Sequence, residues 1–311
     1  MRLFLKKTIF YFTIWLAFST IVDFFVTRTI RGSSSRAIRV WEDVLNSKIN
    51  EDIIILGSSR ACDHYNPAVF DSITGFTSYN LGQHGKKIDM DILRYNIFKK
   101  YAKHQPKIII WDVHGQSICF SDGWYDGIFT PYLYKKEIWS HLDSPQHDFN
   151  IFDRIIPLYR YWKKPYIFNY AFKNARNDAN PYKGYVGEGG IIDTTATKLF
   201  EANDLKCTID SSILASFKNT LLKMRNDGSF VVLVYSPLYY KGVPLLIGTN
   251  EVVSTYQRIA NETGSIFINY LQDSICKNER YFTQYVHLNK EGANVFSNNL
   301  AKRLIPYINQ Q

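Results

Sequence analysis

Three short runs of uninterrupted apolar residues constrain this chain more than anything else in it. They are residues 52–57 (Asp-Ile-Ile-Ile-Leu-Gly), 107–112 (Lys-Ile-Ile-Ile-Trp-Asp) and 229–235 (Ser-Phe-Val-Val-Leu-Val-Tyr). A strand with one face in water alternates apolar and polar residues; a strand covered on both faces does not, and such strands belong to parallel sheets. Residues 77–81 and 265–270 are two further strand candidates. Helical spacing lies between and after these runs. Residues 88–103 carry Ile92, Leu93, Ile97, Phe98 and Tyr101, and residues 209–225 carry Ile213, Leu214, Phe217, Leu221, Leu222 and Met224; 251–263 and 291–308 complete the set. Strand–helix alternation predicts an α/β protein, a three-layer α/β/α sandwich on a mostly parallel sheet of about five strands.

Two segments fall outside that rhythm. Residues 8–26 hold a single charge, Asp23, among Ile9, Phe10, Phe12, Ile14, Trp15, Leu16, Phe18, Ile21, Val22, Phe24 and Phe25. A helix of that length crosses a hydrocarbon core of about 30 Å. No small-x-small cleavage site and no lipobox cysteine follows, so an uncleaved single-pass anchor over residues 1–27 is expected, with 28–49 as a juxtamembrane linker or helix. Basic residues flank both ends (Arg2, Lys6, Lys7; Arg28, Arg31, Arg36, Arg39), so the positive-inside rule gives no orientation. The second segment, about 118–206, is rich in Tyr, Trp, Phe and Pro with little periodicity. It reads as an insertion in the domain of residues 50–311, either covering the C-terminal edge of the sheet or forming a small core of its own.

The formal charge is +9 over 311 residues, which fits a solvated basic surface, anionic lipid headgroups or an acidic polymer. The basic residues are scattered and carry no nucleic-acid-binding signature, so nucleic acid is not an expected partner. The four cysteines (Cys62, Cys119, Cys207, Cys276) show no metal spacing; Cys207 and Cys276 pairing, or four separate buried thiols, are both open. No metal or cofactor is expected.

Three motifs carry chemistry. The first strand ends in Gly57-Ser58-Ser59-Arg60, a strand-to-helix turn that exposes a serine at the sheet edge beside the N–H groups of a helix start. After the second strand comes Asn80-Leu81-Gly82-Gln83-His84-Gly85, whose glycines permit a tight turn. Opening the last helix is His287-Leu288-Asn289-Lys290-Glu291-Gly292-Ala293, with an imidazole able to reach the serine as general base. Each alone has an ordinary reading: a small-residue turn, a βα turn, a structural histidine.

In this order the motifs resemble the SGNH (GDSL-like) hydrolase superfamily, nearest a membrane-anchored branch with G-S-S-R in its first block and H-L-N-x-x-G-A in its last. That branch includes proteins resembling the D-alanine transfer protein of teichoic acid and the alginate acetylation proteins. The resemblance covers roughly residues 50–308, leaving the aromatic insertion unmatched. It implies a flavodoxin-like sandwich with Ser59 as nucleophile and His287 as base. The Ser59 and Gly85 N–H groups would form the oxyanion hole. The family's third block supplies an asparagine; here stands Trp111-Asp112-Val113-His114-Gly115-Gln116, so Gln116 or His114 would take its place. The family's Asp, three residues before the histidine, is Gln284 here. A glutamine carbonyl can orient an imidazole but cannot stabilise imidazolium with a full charge. A Ser-His dyad, another acid such as Asp112 or Glu291, or a site that no longer catalyses would each account for it.

The resemblance implies an extracytoplasmic esterase or O-acyltransferase working on ester-linked acyl groups, acetyl foremost, of an envelope polysaccharide, with a membrane-bound O-acyltransferase as a partner. The alternative is an inactive relative that binds glycan or that partner through its aromatic insertion.

Overall fold

The computed structural model describes residues 1–85, 88–119, 126–142, 148–162, 164–168, 181–193, 209–245 and 248–308. It begins with α1 (Arg2–Arg31) and α2 (Arg36–Leu45). Then come β1 (Ile53–Leu56), α3 (Ser59–His64), α4 (Pro67–Thr74), β2 (Ser78–Asn80), α5 (Ile88–Tyr101) and β3 (Ile108–Asp112). Three short helices follow, α6 (Lys136–Leu142), α7 (Ile151–Ile155) and α8 (Tyr159–Trp162). The chain continues through α9 (Ser211–Asn226), β4 (Phe230–Tyr235), α10 (Thr249–Thr263), β5 (Ile266–Asn269), β6 (Phe282–Gln284), β7 (His287–Leu288) and α11 (Lys290–Ile308). It divides into two compact units: residues 1–42 with 123–180, and residues 43–122 with 181–311.

The larger unit holds a five-stranded sheet in the order β2-β1-β3-β4-β5, every pair parallel. This is the flavodoxin-like order, and its switch point lies between β1 and β3. The three uninterrupted apolar runs are its central strands. Ile53–Leu56 and Ile108–Asp112 are buried throughout, because both faces are covered. On one face Ile53, Ile55, Ile108, Ile110, Val232 and Val234 pack with Phe296, Leu300 and Leu304 of α11 and Phe70 of α4. On the other, the Trp111 ring meets Phe217 of α9 edge-on at 4.8 Å, Phe217 meets Tyr256 of α10, and Trp111 Nε1 donates to Asp91 of α5. The three-layer α/β/α sandwich expected from the sequence is therefore observed.

Local chemistry sets the helix ends. The Asn66 side chain accepts from the Ala68 N–H, Pro67 fills the first helical position and Gly75 closes α4 at φ 72°. The Asp210 carboxylate caps α9 by accepting from the N–H groups of Ser212 and Ile213. The G-A of the last motif is a packing requirement: a Cβ on Gly292 would stand 2.3 Å from the Tyr281 carbonyl oxygen, and Ala293 is fully buried.

In the smaller unit the apolar helix extends beyond the expected 8–26 to all 30 residues of α1. Its mean hydropathy and length suffice to cross a membrane, and only 11% of its most apolar window is buried. The segment expected as one insertion is shared: residues 123–180 belong with α1, whereas 181–193 belong with the sheet. Of the two open readings of the cysteines, the Cys207–Cys276 pair does not form. Cys276 is a free thiol within the core, donating to the Tyr270 carbonyl, and burial pushes its pKa up to about 11. Four separate thiols are not found either, since Cys119 is disulfide-bonded while Cys62 is free. Cys207 lies outside the described residues.

Gly292→Ala should destabilise the larger unit by about 1–3 kcal/mol, the usual cost of forcing atoms into a filled space. Chemical denaturation of the two proteins measures it, and an unchanged midpoint would contradict this packing.

Candidate active site

Ser59 follows β1 at the switch point. Gly57 makes the turn at φ 136°, and a Cβ there would meet the Asp112 carbonyl oxygen and the Ala61 side chain at 2.9 Å. Ser59 is the first residue of α3, and its N–H makes no hydrogen bond among the described residues. Arg60 turns inward and is buried. Its Nε lies 3.4 Å from Asp112 Oδ1, its guanidinium donates to the Val113 carbonyl and it stacks on the Tyr235 ring. Asp112 also accepts from the Tyr65 hydroxyl at 2.7 Å. The G-S-S-R turn is thereby bolted to the ends of β3 and β4.

His287 arrives on the β6–β7 hairpin, which the sequence did not disclose. Its Nε2 stands 2.9 Å from Ser59 Oγ. A second histidine, not singled out from the sequence, fixes that approach. His64 is fully buried, and its Nε2 accepts the Leu288 N–H at 3.0 Å. The proton therefore sits on Nδ1, 3.0 Å from Ser236 Oγ, which accepts it. Asn289 caps α11: its Oδ1 accepts from the Gly292 N–H, and its Nδ2 donates to the carbonyls of Gly190 and Arg280. The whole H-L-N-x-x-G-A motif thus serves to hold one imidazole in place.

Gln284 does not reach that imidazole. It is paired with His287 in the hairpin register, but it is exposed and no hydrogen bond joins the two side chains among the described residues. Neither alternative acid does so. Asp112 is committed to Arg60 and Tyr65, and Glu291 lies at the surface, paired with Arg280. The carboxylate facing His287 is Asp63, with Oδ2 4.0 Å from Nδ1 and only 3% of its side chain exposed. Ser59 and Asp63 are four residues apart in α3, hence on one helix face. That i, i+4 spacing is the signal the sequence offered. His84, of the second motif, brings its Nε2 to 3.4 Å from Asp63 Oδ1.

The second motif is folded tightly against α3. Asn80 Nδ2 donates to the carbonyls of Ala61 and Tyr65, its Oδ1 accepts the Gly82 N–H, and a Cβ on Gly82 would collide with Cys62 N. Arg94 donates to the carbonyls of Leu81 and Gly82. Gly85 follows at φ 65°, and its N–H makes no hydrogen bond among the described residues. In the third motif His114 reaches Ser58 rather than Ser59, Nε2 to Oγ at 2.8 Å. The Gln116 side chain lies outside what the structure describes.

Asp63, Glu188 and His287 have donor atoms within 4.8 Å of one another and are the one group of metal-ligand type among the described residues. A cation there would compete with Asp63 and Ser59 for the imidazole. Burial, reinforced by the positive charges of His84 and Arg60, pushes the His287 pKa down to about 4. Neutral at ordinary pH, its free nitrogen can take a proton.

No protein-family model and no curated protein matches the chain. Solved structures do. A Streptococcus pneumonia protein provisionally described as a platelet activating factor is 12% identical over 97% of this chain and 99% of its own, with a TM-score of 0.44. A catalytic mutant of an acetylxylan esterase from Geobacillus stearothermophilus is 11% identical over 84% and 96%, with a TM-score of 0.40. A family two carbohydrate esterase from Clostridium thermocellum, in complex with cellohexaose, is 8% identical over 83% and 65%, with a TM-score of 0.43. These neighbours, with a GDSL-like lipase among them, are all distant.

Buried His64 and partly buried His287 make a direct prediction. In an NMR titration of the imidazole nitrogens His287 should protonate near pH 4, and His64 should stay the Nδ1-protonated neutral tautomer well below its ordinary range. A midpoint for His287 near 6.5 would show that water reaches the imidazole freely.

Proposed function

We propose that this chain is a membrane-anchored serine esterase or O-acyltransferase of SGNH type, acting on ester-linked acyl groups, acetyl foremost, of an envelope polysaccharide. The observation that carries the reading is the 2.9 Å contact between Ser59 Oγ and His287 Nε2 at the switch point of the sheet. The polysaccharide, the extracytoplasmic setting and a membrane-bound acyltransferase as acyl source are taken from the sequence resemblance. The anchor rests on the length and exposed apolar surface of α1.

In this mechanism Ser59 Oγ attacks the acyl carbonyl while its proton passes to His287 Nε2. The N–H groups of Ser59 and Gly85 donate to the oxygen that becomes negative. Asp63, with Oδ2 4.0 Å from Nδ1, faces the imidazolium and does the work the family assigns to the residue at Gln284. The tetrahedral adduct collapses, the C–O bond to the leaving alcohol breaks and His287 returns the proton to that oxygen. Water, or a sugar hydroxyl, then attacks the Ser59 ester. It gives its proton to His287, and Ser59 leaves with that proton restored. Water yields the acid; a sugar hydroxyl yields the transferred ester.

The full-length protein should be labelled by a fluorophosphonate and should release p-nitrophenol from p-nitrophenyl acetate. Ser59→Ala and His287→Ala should each abolish labelling and lower kcat/KM by about a thousandfold or more. Asp63→Asn should cost about 10²- to 10⁴-fold, whereas Gln284→Ala should leave the rate within about twofold. The order of those last two variants separates this reading from the family's usual arrangement. Wild-type protein that is folded yet neither labels nor hydrolyses would overturn the catalytic reading in favour of a glycan-binding role.

The pH profile follows from the same imidazole. The reactive form is neutral His287, and its pKa is pushed down to about 4. Thus kcat/KM should hold steady through pH 6 and fall only as the pH drops through about 4. A fall centred near 6.5 would mean that the base is an ordinary exposed histidine.

A further inference from the structure

The smaller unit leaves apolar surface that its own core does not use. In α7 Ile151, Phe152 and Ile155 are 49%, 51% and 60% exposed, and Trp162 at the end of α8 is 84% exposed. Asp153, on the opposite side of α7, is fully buried and completes the cap at Asn150. α7 therefore turns its polar residue inward and its apolar ones outward, the reverse of a helix facing water.

The position of this surface relative to α1 is fixed by hydrogen bonds within the same unit. Leu158 N–H donates to Asp23 Oδ1 at 3.1 Å, the Arg160 guanidinium pairs with Asp23 at 2.6 Å and donates to Thr27, and the Tyr161 hydroxyl lies 2.7 Å from Thr27 Oγ1. The Asp23–Arg160 pair is almost wholly buried. At about 1.5 Å per residue, Asp23 and Thr27 lie roughly 23 and 28 Å along the helix from Thr8, where a hydrocarbon core of about 30 Å gives way to headgroups. A cavity of about 860 Å³ at that level is lined by Phe24, Thr27, Arg28, Arg31, Tyr134 and Lys135. Arg31 is paired with Glu42, while the exposed Arg28 has no ion-pair partner among the described residues. Exposed aromatic and aliphatic side chains on helices tied to α1, together with the exposed Arg28, suit the membrane interface, where rings sit at headgroup level and cations meet anionic lipid.

We propose that α7 and α8 make a second membrane contact. Ile151, Phe152, Ile155 and Trp162 lie immersed in the interfacial layer of the leaflet from which α1 emerges. This rests on the reading of α1 as a membrane span and adds to it a surface that lies in the membrane plane. The bilayer is chosen over a protein partner because the surface is clamped to the span at the depth where the core ends.

The test uses the full-length protein in phosphatidylcholine–phosphatidylglycerol vesicles with an environment-sensitive fluorophore at an introduced cysteine. The native free thiols Cys62 and Cys276 are buried, and labelling of wild type sets the background. Phe152→Cys and, separately, Trp162→Cys report the proposed contact, Ile14→Cys reports α1, and Lys277→Cys reports water. A depth of about 5–10 Å predicts that the first two labels are blue-shifted and quenched more by a nitroxide near the glycerol than by one at the chain end. The Ile14 label should favour the deep nitroxide, and the Lys277 label should respond to neither. If the Ile14 label is quenched while both Phe152 and Trp162 labels stay aqueous, the second contact is wrong and the anchor stands. If the Ile14 label is itself aqueous, α1 does not span and the second contact falls with it.

Discussion

The site depends on one buried side chain that takes no part in the chemistry. His64 ends α3, the helix that Ser59 begins, and it receives the amide of Leu288, the residue after His287. Its other nitrogen holds Ser236 just past β4. Two segments more than two hundred residues apart in sequence are thus held by a single imidazole, neutral because burial disfavours its charge. A solvent-exposed link could trade its partner for water; a buried one cannot without leaving an amide or a ring nitrogen unsatisfied. That asymmetry keeps Ser59 Oγ and His287 Nε2 within hydrogen-bond distance.

A second constraint acts from beneath. Arg60 and Asp112 are charged groups in a nearly dry place, which is expensive, and an ion pair at 3.4 Å with further bonds to Val113 and Tyr65 offsets the cost. Burial holds the Asp112 pKa up while the Arg60 guanidinium opposes the shift. An apolar pair could fill the same space, but it would not fix the direction of the turn. The polar cluster ties the G-S-S-R turn to the C-terminal ends of β3 and β4, so the serine projects where the strand order reverses.

The sequence disclosed what is periodic and local. Residues 52–57, 107–112 and 229–235 are strands because uninterrupted apolar runs have no other place in a globular domain, and the helical spacings found the four longer helices flanking the sheet. Features set by distant partners were hidden. The β6–β7 hairpin has only five strand residues, and its place depends on Tyr239 N–H donating to Tyr285 and on His64. Whether Cys276 pairs with Cys207 was open in the sequence, and the structure has Cys276 as a free thiol buried among core side chains. The aromatic segment looked uniform because its periodicity is weak. In fact Asp23 and Arg160 bind residues 123–180 to α1, while the N–H of Asn80 draws Lys183 and its neighbours to the sheet.

Ser59 and Asp63 show how one short helix can face both edges of an imidazole. An imidazole has two nitrogens on opposite edges, so its base and its orienting acid can come from any pair of positions that face those edges. In the SGNH pattern that the motifs resemble, the acid stands three residues before the histidine. Here that position, Gln284, points to water. Instead α3 supplies both partners from one turn, Ser59 to Nε2 and Asp63 towards Nδ1. Placing Ser59 and Asp63 on one short helix, held at its far end by His64, makes their spacing a property of helix geometry rather than of loop conformation. The same arrangement brings His84 and Glu188 near the carboxylate. The surroundings of the Asp63 carboxylate are therefore set by the second motif and by residues 181–193.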